Sequence, residues 1–283
     1  MARRALIDRL EHRTRPVIHE HCDVAKVSTS EEARTTTVPG ILKTTKGLLN
    51  DAVSPRVLEK KFSRSSLNLS ATRNVALYPK LNLAFNRVKK NGNSTTVSLL
   101  HAMEKGKLHR PHQAKRQSAH LRTAKFPLLL RSHSLYYFVI VRNPYSRTLS
   151  AFLNKFQKQP YIERFGNFSL SPSGFEQFLR WLAQSGLEMD AHWDLQKKLI
   201  LAPIDEFDKA LRFEEFPGCL EDFLRERSLE FPRGADTIFS QSHSHTRTGA
   251  NAKLQEFYSP QSIDLVKNLY RDDFEFLGYS KEL

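Results

Sequence analysis

Apolar and polar positions divide the chain into a weakly patterned first stretch and a regularly patterned remainder. From Leu81 onward Leu83 and Phe85 alternate with Asn82, Ala84 and Asn86, and this period of two predicts a strand. The strand runs into a polar, glycine-containing loop, Lys89-Lys90-Asn91-Gly92-Asn93-Ser94. Val97, Leu100 and Met103 then fall at helical spacing, which predicts a helix over residues 95–104. A second unit of the same kind follows. Residues 135–141 form a continuous β-branched and aromatic run, as expected of a strand buried on both faces of a parallel sheet. Asn143 and Pro144 mark a helix start, an N-cap followed by proline at the first helical position. Tyr145, Leu149, Phe152, Leu153 and Phe156 give that helix an apolar stripe. Two strand–loop–helix units predict an α/β fold, a parallel sheet flanked by helices, whose ligands bind at the carboxyl ends of the strands.

The later pattern is mainly helical. Residues 175–183 and 217–227 are amphipathic, a short strand is expected near residues 210–213, and Ser259 and Pro260 open a last helix with Ile263, Val266, Leu269 and Tyr270 on one face. Phe274, Phe276, Leu277 and Tyr279 close the chain against the core. The first eighty residues carry weaker signals: a charged helical start at residues 5–10, a Ser/Thr-rich stretch at 27–38 and a basic segment at 56–64. The expected organisation is a helical and loop-rich extension over 1–80 and an α/β domain over 81–283.

Charge changes the picture most when it is located. The net charge is +14, yet residues 51–150 hold 19 lysines and arginines against 3 acidic residues, while the rest of the chain holds 25 against 27. One stretch of the chain therefore carries the whole demand for anions. Apolar residues at 40%, with 19 phenylalanines, provide for a sizeable core and exclude general disorder. Cys22 and Cys219 are too far apart for a metal-ligand spacing and too few for a disulfide framework. The longest apolar run, residues 136–141, is far short of the roughly 20 residues of a membrane helix. Residues 1–15 lack an uninterrupted signal core, so a cytoplasmic location is expected.

The loop after Val88 has the chemistry of an anion cradle. Backbone N–H groups at a helix start, the Ser94 and Thr95 hydroxyls, Gly92 for close approach and Lys90 for charge meet at the positive end of the helix dipole. No Walker pattern G-x-x-x-x-G-K-[S/T] occurs, and the loop alone equally fits an ordinary strand-to-helix turn capped by serine. The second loop adds weight. Arg142 emerges where the buried strand ends and Ser150 follows two helical turns on, so a guanidinium fork and a hydroxyl can address one phosphate, with Arg147 as reinforcement. Arg142 alone also fits a salt bridge capping the sheet. Two such loops on neighbouring units suggest a ligand with phosphates at both ends.

These residues carry a resemblance. Val139-Ile140-Val141-Arg142-Asn143-Pro144-Tyr145-Ser146-Arg147-Thr148-Leu149-Ser150-Ala151-Phe152 resembles the 3′-phosphate motif of carbohydrate sulfotransferases of the HNK-1, chondroitin and dermatan type. The segment from Arg87 to Thr95 is similar to their 5′-phosphosulfate loop, and Asp190-Ala191-His192-Trp193-Asp194-Leu195-Gln196 to their D-x-H-W-x-P-Q segment. Leu211-Arg212-Phe213-Glu214 and the ending Tyr270 to Tyr279 match later signatures in family order. The resemblance implies a phosphate-loop, nucleotide-kinase-like α/β sulfotransferase fold. It also implies 3′-phosphoadenosine 5′-phosphosulfate as co-substrate, no metal, and a carbohydrate acceptor, anionic or lipid-linked. Lys90, Asn91, Gly92, Asn93, Ser94 and Thr95 would hold the 5′-phosphosulfate, and Arg142 and Ser150 the 3′-phosphate. Lys89 and Leu195 stand where the family has proline.

Sulfuryl transfer needs a base for the acceptor hydroxyl and positive charge on the departing phosphate, a role that suits Lys90. His192 is the first choice of base, beside Asp190, which could orient it, and Trp193, whose ring could stack on a sugar. His101, Asp194 and Glu214 are the alternatives. His243 and His245 have a spacing that invites a metal reading, but the stretch reads better as a loop near the nucleotide. Arg247, two residues before Gly249, resembles an R-x-G element that binds the 3′-phosphate in other sulfotransferases. Asn68, Asn93 and Asn167 head Asn-x-Ser/Thr triplets, and a glycan on Asn93 would block the phosphate loop. The basic segments 56–64 and 105–131 would guide an anionic acceptor or make a peripheral membrane contact. The alternative function is a basic nucleic-acid-binding protein using residues 51–150, although no RNA-recognition motif is present and no nucleic acid is expected. A kinase-like reading lacks magnesium ligands.

Overall fold

The computed structural model describes residues 39–235, 237–238 and 248–283, with side chains from Leu49 onward. Residues Pro39–Leu283 form one compact unit. Its centre is a five-stranded sheet of order β3-β1-β2-β4-β5, where β1 is Val75–Tyr78, β2 Leu83–Asn86, β3 Ala119–His120, β4 Tyr136–Val141 and β5 Lys209–Arg212. β2, β4 and β5 run parallel, with Phe85 opposite Phe138 and Val141 opposite Arg212. β1 is antiparallel to both β2 and β3. The parallel part is the one that the strand–loop–helix pattern predicts; the antiparallel edge is an addition. A tight turn makes it possible, in which the Leu81 N–H donates to the Tyr78 carbonyl at 3.1 Å and Asn82 takes the left-handed conformation at φ 54. Asparagine tolerates that conformation better than most residues.

Period-two alternation assigns β2 one polar face, whereas all four of its residues are buried. Asn86 is fully enclosed because its amide is satisfied on both sides: Nδ2 donates to the Leu199 carbonyl at 3.0 Å and Oδ1 accepts from the Leu201 N–H at 2.8 Å. A buried amide is tolerated on those terms.

Successive strand residues feed opposite faces. Val75, Leu77, Ala84, Tyr137, Val139 and Val141 join Leu58 and Phe62 in one core. Ala76, Phe85, Phe138, Ile140 and Leu211 join the other, with Val97 and Leu100 of α2 (Asn93–Lys105) and Phe223 of α9 (Gly218–Glu226). The first core shows that the sheet unit reaches back before residue 81. Helix α1 (Pro39–Leu58) and β1 fall in the stretch expected to be an extension, yet Leu58, Phe62, Ala71 and Val75 pack with the strands. A third, mostly aromatic core joins α5 (Pro144–Lys155) and α7 (Pro172–Trp181) to the C-terminal helices Pro260–Leu269 and Arg271–Leu277. Three shorter helices complete the frame of the site: α3 (Pro111–Gln117), α6 (Gln159–Phe165) and α8 (Gln196–Leu199), while α4 (Phe126–Arg131) lies on the α1 side. Among the described residues no helix is long and apolar enough to cross a membrane.

Candidate active site

Adjacent parallel strands β2 and β4 each deliver one loop to the same edge of the sheet. After β2 the chain turns through residues 87–92, with Lys90 at φ 72 and Gly92 at φ 67, and enters α2 at Asn93. Glycine is required at position 92 on two counts. The left-handed backbone disfavours a side chain, and a Cβ there would lie 2.9 Å from the Phe216 ring. The first turn of α2 directs N–H groups that no helical carbonyl can satisfy toward the loop mouth. Asn93, Ser94 and Thr95 supply that turn.

After β4, Asn143 caps α5, its Oδ1 accepting from the Tyr145 N–H at 2.9 Å, and Pro144 opens the helix. Arg142 is 4% exposed and ties the two loops together. Its NH1 donates to the Lys90 carbonyl at 2.9 Å, Nε to Ser146 Oγ at 2.9 Å and NH2 to Asn251 Oδ1 at 3.2 Å. The guanidinium also stacks 4.2 Å above the Phe213 ring. These bonds use three of the five N–H groups of an arginine and leave two. Gln196 braces the junction from α8. Its Oε1 accepts from Asn91 Nδ2 at 2.7 Å and from the Arg142 N–H at 3.2 Å, and its Nε2 donates to the Arg142 carbonyl at 2.7 Å. Ser150 lies on the same helix as Arg147 and meets Thr248, whose hydroxyl donates to Ser150 Oγ at 3.2 Å. Arg247, His243 and His245 lie outside the described residues. Thr248 and Asn251 nevertheless place the segment that follows them beside Ser150 and Arg142.

Arg147 has a different part from the phosphate reinforcement that helical spacing suggests. It is completely buried, and three of its N–H groups go to carbonyls: Lys89 at 3.1 Å, Asp194 at 2.8 Å and Ala191 at 3.2 Å. Nothing remains exposed to reach a ligand. Its charge faces Asp273, whose carboxylate accepts the N–H groups of Gln196 and Lys197 at 2.8 and 2.9 Å. Arg147 thus fixes the 87–92 loop and the 190–194 segment to one another.

That segment carries His192. Its Nδ1 hydrogen-bonds Asp190 Oδ1, the Asp190 carboxylate also accepts the His192 N–H at 2.9 Å, and the Tyr161 hydroxyl of α6 donates to Asp190 Oδ2 at 3.3 Å. Burial raises the Asp190 carboxyl, but the bonds from His192 outweigh it and hold the acid at about 2. Burial, with Lys155 and Lys89 nearby, pushes the imidazole down to about 4. The ring is therefore neutral at pH 7, with Nδ1–H donated to a carboxylate and Nε2 carrying the lone pair. Trp193 does not offer a stacking face. It is fully enclosed by Phe156, Phe165, Phe178 and Trp181, and its Nε1 donates to the Gly186 carbonyl at 2.9 Å.

The other candidates for base are engaged elsewhere. His101 is buried against His109, with ring nitrogens 3.2 Å apart. Asp194 Oδ1 accepts the Leu195 N–H at 2.8 Å. Glu214 accepts from the Asn143 N–H at 2.9 Å and the Tyr279 hydroxyl at 2.7 Å, which steadies the Arg142 turn. Of the three glycosylation triplets, Asn93 is buried at the helix start and Asn68 donates to the Lys198 and Ile200 carbonyls, while Asn167 is exposed.

Two further lysines converge on the loop without a sequence signal that marks them. Lys115 Nζ donates to Ser94 Oγ at 2.8 Å, and Lys155 Nζ sits 4.5 Å from the Tyr161 ring centroid. Among the described residues, none of Arg87, Lys89, Lys90, Lys115, Arg142 and Lys155 forms an ion pair with a carboxylate. Burial and the neighbouring cations Arg142, Lys155, Lys158 and Arg147 push Lys90 down to about 7. Burial lowers Lys115 and Lys155 to about 8, and burial lowers Arg142 to about 9. Cations crowded near a helix start without a direct ion-pair partner suit a polyanion.

Two cationic loops on adjacent parallel strands, with a carboxylate-held histidine beside them, have the arrangement a group-transfer site on an α/β fold would need. The sequence matches the model of the sulfotransferase family over residues 73–280, and the chain belongs to that family. It is also 26% identical over 173 residues to Carbohydrate sulfotransferase 12 of Xenopus laevis, an alignment that takes in 51% of this chain and 40% of the relative. The chain thus aligns with less than half of that relative's length. No solved structure matches it.

Proposed function

We propose that the protein transfers a sulfuryl group from 3′-phosphoadenosine 5′-phosphosulfate to a carbohydrate hydroxyl. The observation that carries this reading is the bond from Arg142 to the Lys90 carbonyl, which joins the two loops and brings their cations together. The relative's name supports the acceptor class. Lys90 and the first turn of α2, from Asn91 through Thr95, hold the 5′-phosphosulfate. The two spare N–H groups of Arg142, together with Ser150, hold the 3′-phosphate, and Arg247 would join them.

In the reaction the acceptor oxygen bonds to sulfur as the sulfur–oxygen bond to the 5′-phosphate breaks. The hydroxyl proton passes to His192 Nε2, and the electron pair leaves on the phosphate oxygen, where Lys90 and the helix N–H groups stabilise it. Asp190 keeps the imidazole oriented and stabilises the positive charge that develops on it. The test is incubation with labelled donor and a panel of glycans, with an oligonucleotide as a binding control. Sulfated glycan is expected. His192→Asn is expected to lower kcat by about a hundredfold or more while donor affinity stays within about twofold. Unchanged kcat would remove His192 as the base, and donor turnover without any sulfated glycan would remove the carbohydrate acceptor.

The depressed lysines give donor binding a pH signature. Lys90 at about 7 and Lys115 and Lys155 at about 8 are partly neutral in the free protein at pH 8. A bound polyanion favours their charged forms, so binding takes up protons. Affinity is greatest below about pH 7 and falls as pH rises through about 7 to 9. Calorimetry of 3′-phosphoadenosine 5′-phosphate at pH 8, in two buffers of different ionisation enthalpy, is expected to show net proton uptake. Zero uptake would contradict the assignment of Lys90 to the donor site.

A further inference from the structure

We propose that Lys115 is a donor-binding residue, its ammonium joining the Ser94 hydroxyl to hold the 5′-phosphosulfate group. The proposal rests on the donor reading above and adds to it a cation from outside both strand–loop–helix units.

The argument is one of electrostatic misplacement. Helix α3 packs against α2 and carries two adjacent cations near its end. Arg116 faces solvent, whereas Lys115 is half-buried and turns its Nζ to Ser94 Oγ at 2.8 Å. Ser94 is the second residue of α2, so the amine stands at the positive end of a 13-residue helix, where the dipole disfavours a cation. The charged groups facing it are cations as well: Lys89 and Arg87 from the phosphate loop and Lys155 from α5. His120 of β3 bonds the Lys115 carbonyl at 3.1 Å and not the amine. Among the described residues no carboxylate pairs with Lys115, and burial brings its amine down to about 8. An ammonium held there by a neutral hydroxyl, against a dipole and three like charges, is unfavourable in the free protein. An anion seated at the start of α2 offsets those terms, because it attracts the ammonium, the neighbouring cations and the helix dipole alike.

The test compares two ligands that differ at the 5′ end. Wild type and Lys115→Gln are titrated with adenosine 3′-phosphate and with 3′-phosphoadenosine 5′-phosphosulfate. The variant is expected to lose about tenfold in affinity for the phosphosulfate, the scale of one hydrogen bond to a charged group, and less than about twofold for adenosine 3′-phosphate. Proton uptake at pH 8 on binding the phosphosulfate is expected to shrink in the same variant, a change that a merely structural role would not produce. Equal losses for both ligands, or no loss for the phosphosulfate, would overturn the assignment of Lys115 with the donor reading intact. Failure of the wild type to bind either nucleotide would overturn the donor reading, and the role of Lys115 with it.

Discussion

Arg142→Ala is expected to weaken binding of 3′-phosphoadenosine 5′-phosphate by about a hundredfold or more, the largest loss of any single change in the donor site. Each hydrogen bond from a charged donor is worth about 1.5–3 kcal/mol, so a two-pronged contact with the 3′-phosphate amounts to about 3–6 kcal/mol. The substitution also strips the Lys90 carbonyl of its donor and removes the bridge to Asn251. Both donor loops therefore loosen along with the loss of the phosphate contact. Arg142→Lys keeps a charge but cannot reach Ser146, the Lys90 carbonyl and Asn251 at once, and is expected to recover only a small part of the affinity. Adenosine 5′-phosphate, which lacks the 3′-phosphate, separates the two effects: its affinity should fall by no more than about tenfold. Calorimetry on the three proteins measures this, and wild-type affinity in Arg142→Ala would end the assignment of the 3′-phosphate to this guanidinium.

The two loops of the candidate site are legible in the sequence because each is a local device. A strand, a glycine or asparagine turn and a capped helix start lie within about ten residues, and the structure builds Asn143 as an N-cap and Gly92 as a left-handed turn. Their supports are not legible, because they arrive from distant segments. Gly92 reads as a turn glycine, but the Phe216 ring that forbids a Cβ there lies far along the chain. Gln196 and Asn251 touch Arg142 from separate segments, and neither has a local pattern that says so. Trp193 shows the opposite failure. Beside a histidine it looks like a sugar platform, whereas burial among five other aromatic rings makes it part of the core. The antiparallel edge is hidden in the sequence for a related reason: the apolar run of β1 is only four residues long, and its signal is the Pro79 and Asn82 turn rather than periodicity.

Arg147→Ala is expected to be a stability variant, with a loss of about 3–5 kcal/mol, the usual result of removing one partner from a buried charge arrangement. Three carbonyls, those of Lys89, Ala191 and Asp194, lose their donor inside the protein, and Asp273 loses the cation that offsets its own burial. At about 2–4 °C per kcal/mol for a unit of this size, thermal unfolding should fall by about 10 °C. Pairing Arg147→Met with Asp273→Asn removes both charges and fills most of the volume, so part of the loss should return. The contrast with Arg142 is the informative part. Well below its melting temperature Arg147→Ala should still bind 3′-phosphoadenosine 5′-phosphate, weakened only as far as the Lys89 carbonyl and the His192 segment drift from their places. An unchanged melting temperature with selective loss of the nucleotide would show instead that Arg147 turns to the phosphate, as the spacing along α5 suggests.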